Sequence, residues 1–192
     1  MKKLFLVLLF AISALTLASC AGRKAPKELE ISFNYEKQQG PGSNQYAVWI
    51  ENEAGAVVKT LFVTAFTTKG RARAGQPAQR GYTFRPTCVP TWVKAVKAES
   101  LSDAQMDAFT GATPASSGVQ TFTWDFTDQD GKVVPAGNYK VYLQATYYNE
   151  GIVTYCGEFT TKDTGALALK ETCEADVQQN KGMISEVKAE LR

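Results

Sequence analysis

The chain has 192 residues, 44% hydrophobic and 21% charged, a balance that suits one globular domain. Its formal net charge is +2, part of it in Lys2 and Lys3, and no basic stripe runs through it, so nucleic acid is excluded as an expected partner. There is no histidine, which removes serine–histidine triads, imidazole bases and histidine metal sites together, and no Walker or dinucleotide glycine loop is present.

Residues 1–19 read as a targeting segment, with Lys2 and Lys3 as a positive start and an apolar run from Leu4 to Leu17 too short to span a bilayer. It ends Leu17-Ala18-Ser19-Cys20, which resembles the lipobox of bacterial lipoproteins. The resemblance implies that Cys20 carries a diacylglycerol thioether as the mature N-terminus. It places the protein at the bacterial cell envelope, anchored to the membrane through lipid and facing the periplasm or the extracellular side. Residues 20–28 then form the lipid anchor and tether, and residues 29–192 a single domain.

From Glu28 the pattern has period two. Leu29, Ile31, Phe33 and Tyr35 share one face of a strand, Tyr46, Val48 and Ile50 one face of a second, and Val57 to Phe66 is rich in β-branched and aromatic residues. Gly40-Pro41-Gly42-Ser43-Asn44 and Asn52-Glu53-Ala54-Gly55 carry turn chemistry, so these three strands are expected to form a meander. Lys69 to Gly81, with Arg71, Arg73 and Arg80, reads as a basic loop. One reading of it is an anion surface, and the preferred one a solvated connection.

Pro90-Thr91 opens a helix through Ala98 with Thr91 as its N-cap, and Ser102-Asp103-Ala104-Gln105 has the spacing of a capping box, which predicts a second short helix to about Phe109. Gly111 is expected beyond its end in the left-handed region. The stretch Asp107-Ala108-Phe109-Thr110-Gly111-Ala112-Thr113 resembles the acceptor motif on which flavin transferases attach FMN to a threonine or serine hydroxyl, and every constrained position matches. The resemblance implies Thr113 as the covalent acceptor, with a flavin transferase and a membrane redox protein as partners. Gly111 would allow close backbone approach, and the N–H groups of Ala112 and Thr113 would face phosphate oxygens. Thr110 and Ser116 would donate further hydrogen bonds, and Asp107 would hold the turn or help remove the proton. Trp92, Tyr82 and Phe109 are the candidates for contact with the flavin ring.

Beyond the motif the chain returns to strands over Val119 to Phe126, Asn138 to Tyr148, Ile152 to Thr161 after the turn Asn149-Glu150-Gly151, and Ala166 to Cys173. Met183 to Leu191 fits either a helix stripe or a strand face; the strand, which completes a sheet, is preferred. Trp124-Asp125, Asp128-Gln129-Asp130-Gly131 and Pro135-Ala136-Gly137-Asn138-Tyr139 resemble the immunoglobulin-like module of flagellar hook-capping proteins, which implies a hairpin turning at Asp130-Gly131. The expected fold is mainly β: an immunoglobulin-like antiparallel β-sandwich with one or two short helices inserted mid-chain. Asp125, Asp128 and Asp130 lack the spacing of a calcium loop and read as turn acidity.

The order of these features over Glu30 to Arg192 resembles a family of uncharacterised predicted periplasmic proteins, DUF2271, with Pro90-Thr91-Trp92, Asp107 to Thr113 and Trp124 to Tyr139 carrying the likeness. That resemblance implies association with flavin transferases and membrane electron transfer. After lipidation of Cys20, three cysteines remain. If Thr164-Gly165 makes a two-residue hairpin turn, Cys156 and Cys173 face each other in disulfide range, and Cys88 is the free thiol. The functional expectation is an extracytoplasmic lipoprotein carrying covalent FMN for electron transfer, with no catalytic or metal-binding residue. The alternative is a cofactor-free β-sandwich lipoprotein that offers loops or sheet edges to partners.

Overall fold

The computed structural model describes residues 27–147, 151–174 and 182–192; the targeting segment 1–19, Cys20, the tether up to residue 26 and the turn residues Asn149 and Glu150 lie outside the described residues. β1 (Leu29–Tyr35) buries Leu29, Ile31, Phe33 and Tyr35 and leaves the residues between them half-buried, the period of a strand with one wetter face. β2 (Asn44–Asn52) is different, because every residue from Asn44 to Glu51 is buried. Both of its faces are covered.

One cover is a second sheet. β1 pairs antiparallel with β7 (Gly118–Trp124) and β12 (Ile184–Leu191), and β10 (Gly165–Ala166) adds a short strand outside β12. The larger sheet runs β11 (Lys170–Glu174), β9 (Ile152–Thr160), β8 (Asn138–Tyr147), β2, β3 (Val57–Thr64), β6 (Thr110–Gly111), antiparallel except for the last pair. Between the sheets Leu29, Ile31 and Phe33 pack into one core with Tyr46, Val48, Ile50 and Leu143. The chain is mainly β and sandwich-like, as expected.

The other cover is helical. Ala47, Trp49 and Val63, on the outer face of the larger sheet, form a second core with Cys88, Val89, Trp92, Met106 and Phe109. Those partners belong to the connection from β3 to β6, which comprises α1 (Ala65–Lys69), a hairpin of β4 (Arg71–Arg73) and β5 (Gln76–Gln79), α2 (Gly81–Phe84), α3 (Pro90–Val96) and α4 (Asp103–Asp107). Parallel neighbours cannot be joined by a tight turn, so the chain must return over the sheet, and its return path is the cover. Hydrogen bonds seat it. Gln144 accepts from the Thr91 N–H at 2.9 Å and donates to the Thr91 and Thr154 hydroxyls at 2.6 and 2.9 Å. The Trp92 indole N–H donates to Thr60 at 3.1 Å.

Local signals are realised as read: Ser102 and Gln105 form the reciprocal capping box at the start of α4, and the last segment is the strand β12. Partnerships differ. β1, β2 and β3 are not a meander, since residues 36–43 carry the chain from the small sheet to the large one; β2, apolar on both faces, belongs to the doubly covered sheet, and β1, which alternates, does not. β7 and β8 also lie in different sheets, so Trp124 to Tyr139 as a whole crosses between sheets, and the expected hairpin is a short local one within that crossing, bridged antiparallel at Thr127 and Val133. Its turn is as anticipated, with Gly131 at φ 79° and Asp128 accepting from the N–H groups of Asp130 and Lys132. α3 starts at Pro90 after a left-handed Val89, and Thr91 serves Gln144 instead of capping. Part of the basic stretch folds as the β4–β5 hairpin, and Arg80 pairs with Asp103 and donates to the Tyr82 hydroxyl.

The cysteine pairing is also corrected. Thr164-Gly165 is not a two-residue turn, because Gly165 leaves to join β12 in the other sheet and β11 re-enters beside β9. Lys170 therefore stands opposite Cys156 and Val153 opposite Cys173, and Cys156 is a free thiol.

Trp92 is fully buried between the helical layer and the sheet. Trp92→Ala is expected to cost about 3–5 kcal/mol, the usual range for emptying an aromatic core site, seen as a lower urea midpoint. An unchanged midpoint would mean that the helical layer unfolds separately from the sandwich.

Candidate functional site

The motif lies where the chain comes off the helical layer and becomes an edge strand. Asp107 ends α4 with an exposed carboxylate paired to the Lys69 ammonium at 2.8 Å. Phe109 packs edge-on against Trp92 at 5.8 Å, and its carbonyl accepts from the Val63 N–H at 3.1 Å. Thr110 and Gly111 pair with Val63 and Thr64 as β6. The Thr110 hydroxyl donates to the Met106 carbonyl at 2.6 Å and lies 2.9 Å from the Thr68 hydroxyl. It is committed to holding the corner, which leaves it ill suited to bind a phosphate.

Gly111 is not in the left-handed region. Its glycine has another cause: a Cβ there would lie 2.2 Å from the ring of Phe62. Ala112 is exposed and Thr113 half-buried, and no hydrogen-bond partner of the Thr113 hydroxyl is found among the described residues. Pro114 restricts the residue before it to extended backbone, which narrows the directions Thr113 can take. Lys37 closes over the following turn, its N–H donating to the Ser117 hydroxyl and its ammonium to the Ala115 carbonyl, both at 3.0 Å. Ser116 is exposed.

Of the aromatic residues read as ring contacts, Trp92 and Phe109 are enclosed beneath the helical layer. Tyr82 is half-buried on that layer, where its hydroxyl donates to the Ala98 carbonyl at 3.2 Å. The aromatic residue that lies against Gly111 is Phe62, stacked on Tyr46 at 5.0 Å and 5.1 Å from Phe122. Sequence reasoning missed it because the contact depends on the parallel pairing of β3 with β6. The one signal present was Gly111 itself, since a glycine in a strand often marks close approach.

Other reactive groups are accounted for by the fold. Cys88 is buried with its sulfur 3.0 Å from the Thr67 hydroxyl, which in turn bonds Gln45. Burial pushes the thiol up to about 11, against the opposing Thr67 hydrogen bond and Arg85 charge, so it stays neutral and inert near pH 7. Burial likewise raises the half-buried Cys156 thiol. Asp125 is held below the usual carboxylate range, first by the Thr127 hydroxyl and then by the Thr127 N–H and Lys59. An open groove of about 650 Å³ lies between the 52–58 and 128–139 segments and includes no motif residue.

A family model described as "Predicted periplasmic protein (DUF2271)" matches residues 28–179. No curated protein and no solved structure matches the chain.

Two outcomes follow from this geometry. Gly111→Ala must push the Phe62 ring off its stack on Tyr46, an overpacking that costs about 1–3 kcal/mol and is read by thermal unfolding. For Cys88, the thiol is protonated in folded and unfolded chains below its ordinary value of 9.0; between 9.0 and about 11 only the unfolded chain releases the proton, so stability falls as pH rises. Across that window wild type should lose roughly 1–3 kcal/mol relative to Cys88→Ala, and parallel pH–stability curves would refute the assignment.

Proposed function

The chain belongs to the DUF2271 family of predicted periplasmic proteins, and we propose that it is an envelope lipoprotein carrying covalent FMN on Thr113 for electron transfer. The observation that carries this reading is the setting of Thr113. Thr113 is half-buried, its hydroxyl has no protein partner among the described residues, and it stands two residues beyond a strand anchored by Thr110 and fitted to Phe62 by Gly111. The residues fit the group, since small, exposed Ala112 leaves the approach open and Lys37, whose ammonium holds the Ala115 carbonyl two residues past Thr113, would add positive charge near an anionic phosphoester.

In attachment, the Thr113 oxygen forms the new phosphoester bond as the diphosphate bond of an activated flavin nucleotide breaks. The departing nucleotide keeps the bridging oxygen, and the hydroxyl proton passes to a base of the transferase. Asp107, ion-paired to Lys69, is better suited to holding the end of α4 than to taking that proton. Once attached, the flavin supplies the one- and two-electron chemistry. The chain supplies the frame, and the Cys20 lipid would keep it near a membrane redox partner. The lack of histidine, with Cys88 held as a neutral thiol, favours a carrier over an enzyme that transforms a substrate.

Co-expression with a flavin transferase should add the mass of one FMN. Thr113→Val should abolish the addition and Thr113→Ser retain it, while Cys20→Ala should release the protein from the membrane fraction. A colourless, unmodified wild type would sink the flavin reading and leave the cofactor-free interaction module.

A further inference from the structure

We propose that a flavin ring borne on Thr113 docks over Phe62 and Phe122, at the open side of the sandwich where the edges of the two sheets face each other; the inference rests on the Thr113 reading above. β7 is the outer strand of the small sheet and β6 that of the large one, and residues 112–117 cross from one to the other. The edge of β3 is covered at its two ends. Gln129 donates its N–H to the Val58 carbonyl at 3.1 Å and accepts from the Thr60 N–H at 3.0 Å, while β6 pairs at Val63 and Thr64. Between these covers, Leu61 and Phe62 have no strand on their outer side among the described residues.

Phe62 and Phe122 sit behind this gap, one from each sheet, with ring centroids 5.1 Å apart and both partly exposed. The facing strand, Gly118–Trp124, carries no charged side chain. The gap is therefore bordered by aromatic carbon and uncharged strand, which suits a planar ring with apolar faces and polar edges. It also adjoins the acceptor, because Gly111 lies against the Phe62 ring and Thr113 follows two residues later. Extended chain advances about 3.3 Å per residue, so that step is about 7 Å, within reach of the ribityl chain between an FMN phosphate and its ring. Trp92 and Phe109, enclosed beneath the helical layer, offer no such face.

The test uses the full chain modified in cells by a flavin transferase. Intact mass scores attachment, and iodide quenching of flavin emission scores docking. An aromatic contact of ordinary strength favours the docked ring about fivefold, so quenching of the native protein should be weaker than that of its Thr113 peptide after digestion by a similar factor. Phe62→Leu and Phe122→Leu keep apolar volume but remove a ring; each should raise quenching about twofold with the added mass unchanged. Equal quenching of native protein and digest, with full attachment, overturns the docking and leaves the Thr113 reading standing. An unmodified wild type overturns both. If a leucine variant fails to fold, the comparison of wild type with its digest decides alone.

Discussion

β2 presents Tyr46, Val48 and Ile50 to one side and Ala47 and Trp49 to the other, all fully buried. Each large side chain among them is worth about 1.5–3 kcal/mol when removed from water, so a sheet built on this strand needs a cover on both faces. The small sheet provides one. The second comes from the chain between β3 and β6, whose Trp92, Val89 and Met106 meet Trp49 and Val63 from outside. The parallel relation of β3 to β6 and the helical layer are one fact, because a chain that must climb over the sheet to cover it comes down beside the strand it left. The Asp107–Thr113 stretch occupies that point of descent.

Apolar contact alone does not select one seat for a layer of short helices, since cores tolerate repacking at similar volume. Buried polar groups do, because each costs free energy unless its partner is in place. Gln144 uses both ends of its amide, binding Thr91 on the layer and Thr154 on the sheet. Gln45, Thr64, Thr67 and Cys88 make a second buried chain beneath α1, and Thr68 with Thr110 extends this kind of fastening to the motif. Fastening by side chains reaches Thr110 and resumes at Ala115 and Ser117, which leaves Thr113 between held neighbours with a hydroxyl unengaged among the described residues.

What could be read from the sequence was what depends on neighbours in the chain. The alternation of β1 and β2, the Ser102 capping box and the Asp128–Gly131 turn are each set within a few residues and were legible. Strand partnership was not. β1 and β2 follow each other yet lie in different sheets, and the cue was the two-sided burial of β2, whose cover is drawn from residues 65–109. The Cys156–Cys173 pairing failed for a related reason, since it assumed that the chain stays in one sheet, whereas Gly165 and Ala166 pair with β12 before β11 returns. Gly111 was rightly singled out for the wrong cause. A helix end suggested a backbone need, while the structure shows a steric one, imposed by a ring from β3.

The role proposed for Thr113, modification by another protein, would set opposing demands: its hydroxyl must be reachable, and its neighbours must not drift. Edge strands answer the first but invite pairing with other chains unless they are short or covered. β6 is two residues long, and Gln129 and Lys59 from either side of the sandwich tie the far end of the β3 edge to the loop after β7. Little edge is left for a foreign strand, while the segment beyond Gly111 stays open. A longer β6 would enclose Thr113 in a ladder, and a looser corner would surrender the contact between Gly111 and Phe62. The short strand, the glycine and the anchored threonine before it are thus parts of one solution to holding a free hydroxyl at a sheet edge.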